Sequence, residues 1–111
     1  MDVIVTHEGE CVILALSGRM DATNAVQFDN AAQAAVNEGH TRFLIDMKEL
    51  VYISSAGLRS LLGLAKKTRA AQGKLCFCCL QPMVAEVFHI SGFDRILSVC
   101  DDRGAGLALL L

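Results

Sequence analysis

The chain has 111 residues, enough for one domain with a single core and too few for two. Its formal net charge is −2 and its basic residues are scattered, which argues against a nucleic-acid-binding protein. Because no apolar run approaches the roughly 18 residues of a membrane span and "MDVIVTHEGE" lacks the features of a secretion signal, we expect a cytoplasmic protein without direct membrane insertion.

The N-terminal third predicts a β-hairpin followed by a helix. Two apolar runs, Val3 to Thr6 and Cys11 to Leu16, flank an "EGE" turn and are typical of paired strands. Small and apolar residues then recur at spacings of three and four, which predicts a helix that Thr23 or Asn24 caps and Gly39 ends. These residues are Ala25, Phe28, Ala32 and Ala35.

The middle of the chain predicts two strands and the helix between them. "FLI", residues 43–45, and "KLCFCCL", residues 74–80, are short continuous apolar runs, typical of strands covered on both faces. Between them one helical stripe, which Gly73 ends, carries most of the apolar residues, while the cations lie mostly off it. The stripe consists of Leu58, Leu61, Leu62 and Ala65.

The C-terminal third predicts a helix, a strand and a last helix. Pro82 opens a helix whose expected apolar face is Met83, Val87 and Ile90. "ILSVC" predicts a strand, and "DDRGAGLALLL" a terminal helix whose leucines belong either to the core or to a partner face.

The order β-β-α-β-α-β-α-β-α predicts an α/β fold in a single domain, residues 1–111. Strands separated by helices indicate right-handed crossovers and a mostly parallel sheet, to which the hairpin adds an antiparallel strand. The prediction therefore contains about four helices.

The cysteines and histidines predict neither disulfides nor a metal site. Five cysteines without an export signal disfavour structural disulfides. On a strand, Cys76 and Cys78 point to one face and Cys79 to the other, and no histidine stands at ligand spacing. We interpret the cysteines as packing residues and the histidines as surface or packing residues, and we expect no cofactor. The histidines, far apart in sequence, are His7, His40 and His89.

Ser54 and Ser55 lie between a predicted strand and the helix that carries Leu58. Functional sites of parallel α/β sheets tend to lie at this edge, where the strands end and the helices begin. A nucleophilic serine would need a base and an oxyanion site; the chain has no G-x-S-x-G elbow. A helix cap needs only one hydroxyl. A phosphate at this helix start would be stabilised by unpaired N–H groups and would repel a docking partner, which favours a modification site.

Three segments resemble a STAS domain of the anti-sigma factor antagonist family. "LSGRMDATNA" is similar to the family's glycine and aspartate signature before the first helix. "FLIDMKELVYISSAGLRSLL" resembles its strand, loop and phosphorylation motif, and "GKLCFCCLQPMVAEVFHISGFDRIL" resembles its third segment. The resemblance covers nearly the whole chain in the right order and implies the STAS fold.

The resemblance implies a partner-switching cycle in which this protein is a substrate and not an enzyme. Its unmodified form would bind a serine kinase that is also an anti-sigma factor, phosphorylation would abolish binding, and a metal-dependent serine phosphatase would reverse it. Ser55, two residues before the glycine, is the implied acceptor, with Ser54 as the alternate. The implied partner-binding residues are Asp21, Ser54, Ala56, Gly57 and Leu58.

Two alternatives stay open. Other STAS domains are accessory subunits of lipid or anion transporters or of stress-sensing scaffold complexes, and the presence of Ser55 favours the antagonist. A serine hydrolase, the least favoured function, predicts that the purified protein turns over an ester. Asp21 is also explained as a turn residue before the first helix.

Overall fold

A five-stranded sheet with helices on both faces forms the fold, and the computed structural model describes residues 1–111. The strands are β1 (Asp2–Glu8), β2 (Cys11–Met20), β3 (Arg42–Ile53), β4 (Lys74–Cys78) and β5 (Ser98–Cys100). The helices are α1 (Ala25–Asn37), α2 (Ser55–Ala70), α3 (Pro82–Ile90), α4 (Phe93–Ile96) and α5 (Arg103–Leu110). The predicted α/β class is confirmed, and the single-turn helix α4 raises the number of helices from four to five.

The order of the strands in the sheet follows their order in the chain. Strands β1 and β2 form an antiparallel hairpin about Gly9, which has a φ of 60°. The pairs β2–β3, β3–β4 and β4–β5 are parallel, because a helix crosses back over the sheet between each two strands. The mostly parallel sheet with an N-terminal hairpin is therefore confirmed.

Alternating side chains along the strands build one core on each face of the sheet. The larger core lies beneath α1, α2 and α3, which contribute Phe28, Leu61 and Phe88. The smaller core lies beneath α5, where Leu110 covers Leu44 and neighbouring cysteines. The strand residues of the larger core are Val12, Leu14, Leu16, Met20, Phe43, Ile45, Met47, Leu50, Ile53 and Phe77.

The buried faces of two helices differ from the predicted ones. In α3, Val84 and Phe88 are buried, whereas Met83 and Ile90 are 61% and 76% exposed. Of the predicted face, Val87 packs against the larger core, but the prediction was wrong for Met83 and Ile90. Apolar residues surround this helix, and the ring of Phe77, 5.7 Å from that of Phe88, selects the buried side. The buried residues of α2 are Gly57, Leu61, Leu64 and Thr68, and Leu58, Leu62 and Ala65 lie at the margin.

Helix α5 is fixed to the sheet by an ion pair and by close packing. Atoms Nε and Nη2 of Arg103 both lie 3.0 Å from Oδ2 of the buried Asp46 in β3. Gly106 rests on Leu44, whose Cδ1 would be 2.6 Å from an added Cβ. The C-terminal leucines therefore divide between core and surface, with Leu110 buried. None of the helices has both the length and the apolar character needed to cross a membrane.

Replacing Leu110, which is 1% exposed, with Ala should lower the free energy of unfolding by about 2–5 kcal/mol because it leaves a cavity under α5. Leu109→Ala is the matched control: its side chain is 56% exposed, so its effect should stay within about 0.5 kcal/mol. Urea denaturation measures both values. Equal effects of the two substitutions would contradict the observed orientation of α5.

Candidate functional site

The junction between β3 and α2 places the two serines in different environments. Strand β3 extends to Ile53, so Ser54 is the single residue between strand and helix. Its backbone N–H donates to the carbonyl oxygen of Met20, 2.9 Å away, and its hydroxyl accepts a hydrogen bond from the Gly57 N–H at 3.3 Å. Ser54 is therefore the N-cap of α2. Ser55 is the first residue of the helix, and its side chain is exposed.

Close packing beneath the helix start explains the Ala-Gly step in the sequence. A Cβ added to Gly57 would lie 2.7 Å from Cγ1 of Ile53 and 3.0 Å from Cγ of Met20. Only glycine lets the first turn of α2 rest directly on the ends of β2 and β3. Gly57 is buried and has a packing role that fixes the position of Ser55.

The start of α1 presents a carboxylate at the same edge of the sheet. Oδ1 of Asp21 accepts hydrogen bonds from the Thr23 hydroxyl at 2.6 Å and from the Thr23 N–H at 2.9 Å. The hydrogen bond from the Thr23 hydroxyl is the main cause of a lowered pKa of Asp21, and the bond from the Thr23 N–H is the second cause. Asp21 is therefore an anion at neutral pH. Asn24 occupies the predicted N-cap position, but its side chain does not cap α1. Its amide oxygen accepts a hydrogen bond from the Asp21 N–H, and its amide nitrogen donates one to the backbone carbonyl of Arg19.

Strand pairing brings the Asp21 and Ser54 loops together. Because Met20 and Ile53 are partners in the parallel ladder, the residues that follow them leave the sheet side by side. Gly18, with a φ of 86°, lies at a register shift that bends the end of β2. The guanidinium of Arg19 then lies 4.1 Å above the centre of the Tyr52 ring and joins the two strand ends.

A groove of about 570 Å³ runs between α1 and α2 beside the serines. Ala56, one of the predicted partner-binding residues, lines it, and Leu58 is half-buried against the larger core. Sequence reasoning missed the groove and Arg59, which also lines it. The only available signal was the concentration of small residues on both helices, which lets them leave a depression.

The charges at the start of α2 favour an anion. The first turn of this helix contains no acidic residue, and its free N–H groups carry the positive end of the helix dipole. Arg59, four residues after Ser55, lies on the same side of the helix. A phosphate on Ser55 would therefore find a positive environment within the chain itself.

His89, the nearest histidine to the serines on the C-terminal side of the sequence, is paired with a carboxylate. Nδ1 of His89, on the last turn of α3, lies 2.9 Å from the carboxylate of Asp94, and both side chains are solvent-accessible. This pair lies beside α4, and neither serine belongs to it. His89 therefore does not pair with either serine.

The cysteines of β4 form a thiol cluster in the smaller core. The pKa of Cys76 is raised to about 12, mainly by burial and secondly by a hydrogen bond with Cys100. Burial also raises the pKa of Cys78. Strand β4 ends at Cys78, and Cys79 has a φ of 64°, so the predicted strand alternation does not reach it. Its sulfur lies 3.4 Å from that of Cys78. Cys11, Cys76 and Cys78 are buried, as expected for packing residues.

This chain belongs to the STAS domain family, whose sequence model matches residues 2–105. It is 44% identical over 97 residues to BtrV of Bordetella bronchiseptica, whose name assigns it provisionally to the anti-sigma factor antagonists; the match covers 87% of this chain and 84% of BtrV.

Solved structures show the same fold. One from Thermotoga maritima, also provisionally named an anti-sigma factor antagonist, superposes with a TM-score of 0.93 at 17% identity, covering 97% of this chain and 93% of that one. The Bacillus cell fate determinant SpoIIAA in its phosphorylated form superposes with a TM-score of 0.74 at 21% identity, covering 94% and 96%.

Gly57→Ala should lower the free energy of unfolding by about 1–3 kcal/mol, because the new methyl group overlaps Ile53 and Met20. Gly63→Ala in the same helix is the matched control. A Cβ there meets nothing within 4 Å, so the substitution should stabilise the protein by about 0.5–1 kcal/mol. Urea denaturation distinguishes the two, and a stabilising Gly57→Ala would contradict the close packing.

Proposed function

We propose that this STAS domain is an anti-sigma factor antagonist whose binding to its partner is switched by phosphorylation of Ser55. The observation that carries the proposal is that the two serines have different structural roles. Ser54 caps α2, and Ser55 is exposed at the first helical position. The name of the 44% identical relative supports the kind of protein.

The helix start accounts for a modification that leaves the fold unchanged. A phosphate on Ser55 would accept hydrogen bonds from free N–H groups of the first turn and would interact favourably with the helix dipole. No core residue loses a contact, because the Ser55 side chain points to solvent. The modification changes the surface charge by nearly two units and leaves the packing as it is.

The docking surface of the proposal consists of the two loops and the adjoining groove. Asp21 follows Met20, the ladder partner of Ile53, and Ser54, Ala56 and Leu58 belong to the loop and first turn that hold Ser55, with Gly57 packed beneath them. The proposed partner is a serine kinase that is also an anti-sigma factor. Asp21 in the neighbouring loop is already negative, so a phosphate on Ser55, although stabilised by the helix start, adds to the negative charge of this surface and repels a partner without matching cations.

In the proposed cycle the unphosphorylated form holds the anti-sigma factor and so releases its target. The kinase phosphorylates Ser55, the complex separates, and a metal-dependent serine phosphatase restores the binding form. This chain contributes the acceptor hydroxyl and the docking surface, and the catalytic groups belong to the two enzymes. The proposed cycle takes place in the cytoplasm.

Ser55→Ala should abolish phosphate incorporation by the cognate kinase and change the free energy of unfolding by no more than about 0.5 kcal/mol, since the side chain is exposed. Ser54→Ala is the control: it should lower that free energy by about 0.5–2 kcal/mol through loss of the cap, with phosphate still entering at Ser55. Mass spectrometry and urea denaturation give the two readouts. Phosphate found on Ser54 of the wild-type protein would refute the assignment.

Ser55→Asp should raise the Kd for the kinase at least about tenfold, because it places a charge in the interface without altering the backbone. Ser55→Asn has nearly the same shape without the charge and should bind more tightly than Ser55→Asp. Isothermal titration at low and high salt measures the difference, which should shrink at high salt. Equal affinity of the two variants would exclude a charge switch.

A further inference from the structure

Two histidines that are 33 positions apart in the sequence, at 7 and 40, meet at the surface beneath the end of α1. Their ring centroids are 5.1 Å apart, and Nε2 of His40 lies 3.6 Å from Oε2 of Glu38. We propose that His7, Glu38 and His40 form a binding site for a divalent transition-metal ion of the Zn²⁺ type. His7 and His40 are surface residues, as expected, and they meet because the hairpin places the end of β1 beside the start of β2, which pairs with the start of β3.

The distances suit a metal ion after small side-chain rotations. One ligand atom from each of the three residues lies within 4.8 Å of the other two. Ligands 2.0–2.2 Å from a tetrahedral ion are about 3.3–3.6 Å apart, which matches the 3.6 Å separation of the His40 and Glu38 atoms. Two imidazoles and one carboxylate leave a fourth position for water.

The backbone fixes all three residues before any ion binds. His7 pairs with Val12 in the hairpin, and Val12 points toward the core beneath α1, so the His7 side chain lies on the same face of the sheet. Gly39, with a φ of 93°, ends α1, and the N–H of His40 donates to the carbonyl of Ala35 at 3.1 Å. This hydrogen bond belongs to a Schellman motif, which holds Glu38 and His40 on one turn.

The electrostatic environment also favours a cation. The C-terminus of α1 carries the negative end of the helix dipole, and no basic residue lies in its last turn. Glu38, the C-cap, adds a carboxylate at this negative end, which is unfavourable for an unneutralised helix. A bound cation would offset both charges at once.

The donor atoms select the class of ion. Imidazole nitrogens with a carboxylate suit Zn²⁺, Ni²⁺ and Cu²⁺ and disfavour Mg²⁺ and Ca²⁺, which prefer oxygen ligands alone. Asp46, Cys78 and Cys79 form a second set of donors, but Asp46 is paired with Arg103 and Cys78 is buried. His7, Glu38 and His40 are by contrast at the surface, where an ion can reach them.

The proposed metal site and Ser55 lie at opposite ends of β3. His40 lies two residues before Arg42, where the strand starts, whereas Ser55 begins the helix that follows Ile53. Metal binding therefore leaves the phosphorylation surface accessible, and the inference does not depend on the proposed function.

The test is titration of the metal-free, reduced full chain with Zn²⁺ by calorimetry and with Co²⁺ by absorption spectroscopy. The wild type should bind one ion, and Co²⁺ should show d–d bands without the intense near-ultraviolet band of thiolate ligation. His7→Asn and His40→Asn should each weaken binding at least about tenfold, since even the loss of an outer-shell partner costs that much. Glu38→Gln should weaken it in the same direction.

Two control variants keep the result specific. His89→Asn removes an exposed histidine that has a carboxylate beside it but no second imidazole, and it should bind like the wild type. Cys79→Ser removes the accessible thiol and should also leave binding unchanged. No binding by the wild type, equal binding by the His7→Asn variant, or loss of binding only with Cys79→Ser would each overturn the proposal.

Discussion

The contact of Gly57 with Met20 and Ile53 is the constraint on which the rest of the site depends. It joins the ends of two parallel strands to the first turn of α2, and the hydrogen bond from the Ser54 N–H to the Met20 carbonyl holds the same junction from the backbone. With the helix start fixed, Ser54 becomes the cap and Ser55 is directed to solvent. A bulkier residue at position 57 would move the whole turn, because both neighbouring strands are anchored in the core.

This arrangement separates the site from the parts of the molecule that provide stability. The larger core lies beneath α1, α2 and α3, and the smaller one beneath α5. The serines stand above the sheet edge, so a change of charge there has no packed side chain to displace. A domain built in this way can change its surface electrostatics while its fold stays the same, as the proposed phosphorylation switch requires.

Much of the site could be predicted from the sequence, because its signals are local. The serines follow an apolar run and precede an amphipathic stretch, which identifies a helix start without knowledge of the fold. Three features could be seen only in the structure: which of the two serines caps α2, why position 57 is a glycine, and that a groove lies beside the Ser54 loop. The cap depends on the length of β3, which runs past its apolar stretch to Ile53. The glycine depends on side chains from β2, and the groove depends on the distance between two helices.

The sequence by itself determined the α/β class, the hairpin, the parallel sheet and the position of the helix that carries Ser55, because periodicity and turn residues act over a few neighbours. Only the tertiary structure decided which face of α3 is buried, how the C-terminal leucines divide, and that His7 meets His40. These outcomes depend on contacts between segments far apart in the chain. The local sequence does not show which side of a helix with apolar residues all round is buried. It also does not show which residue a histidine will contact when no other histidine lies nearby in the sequence.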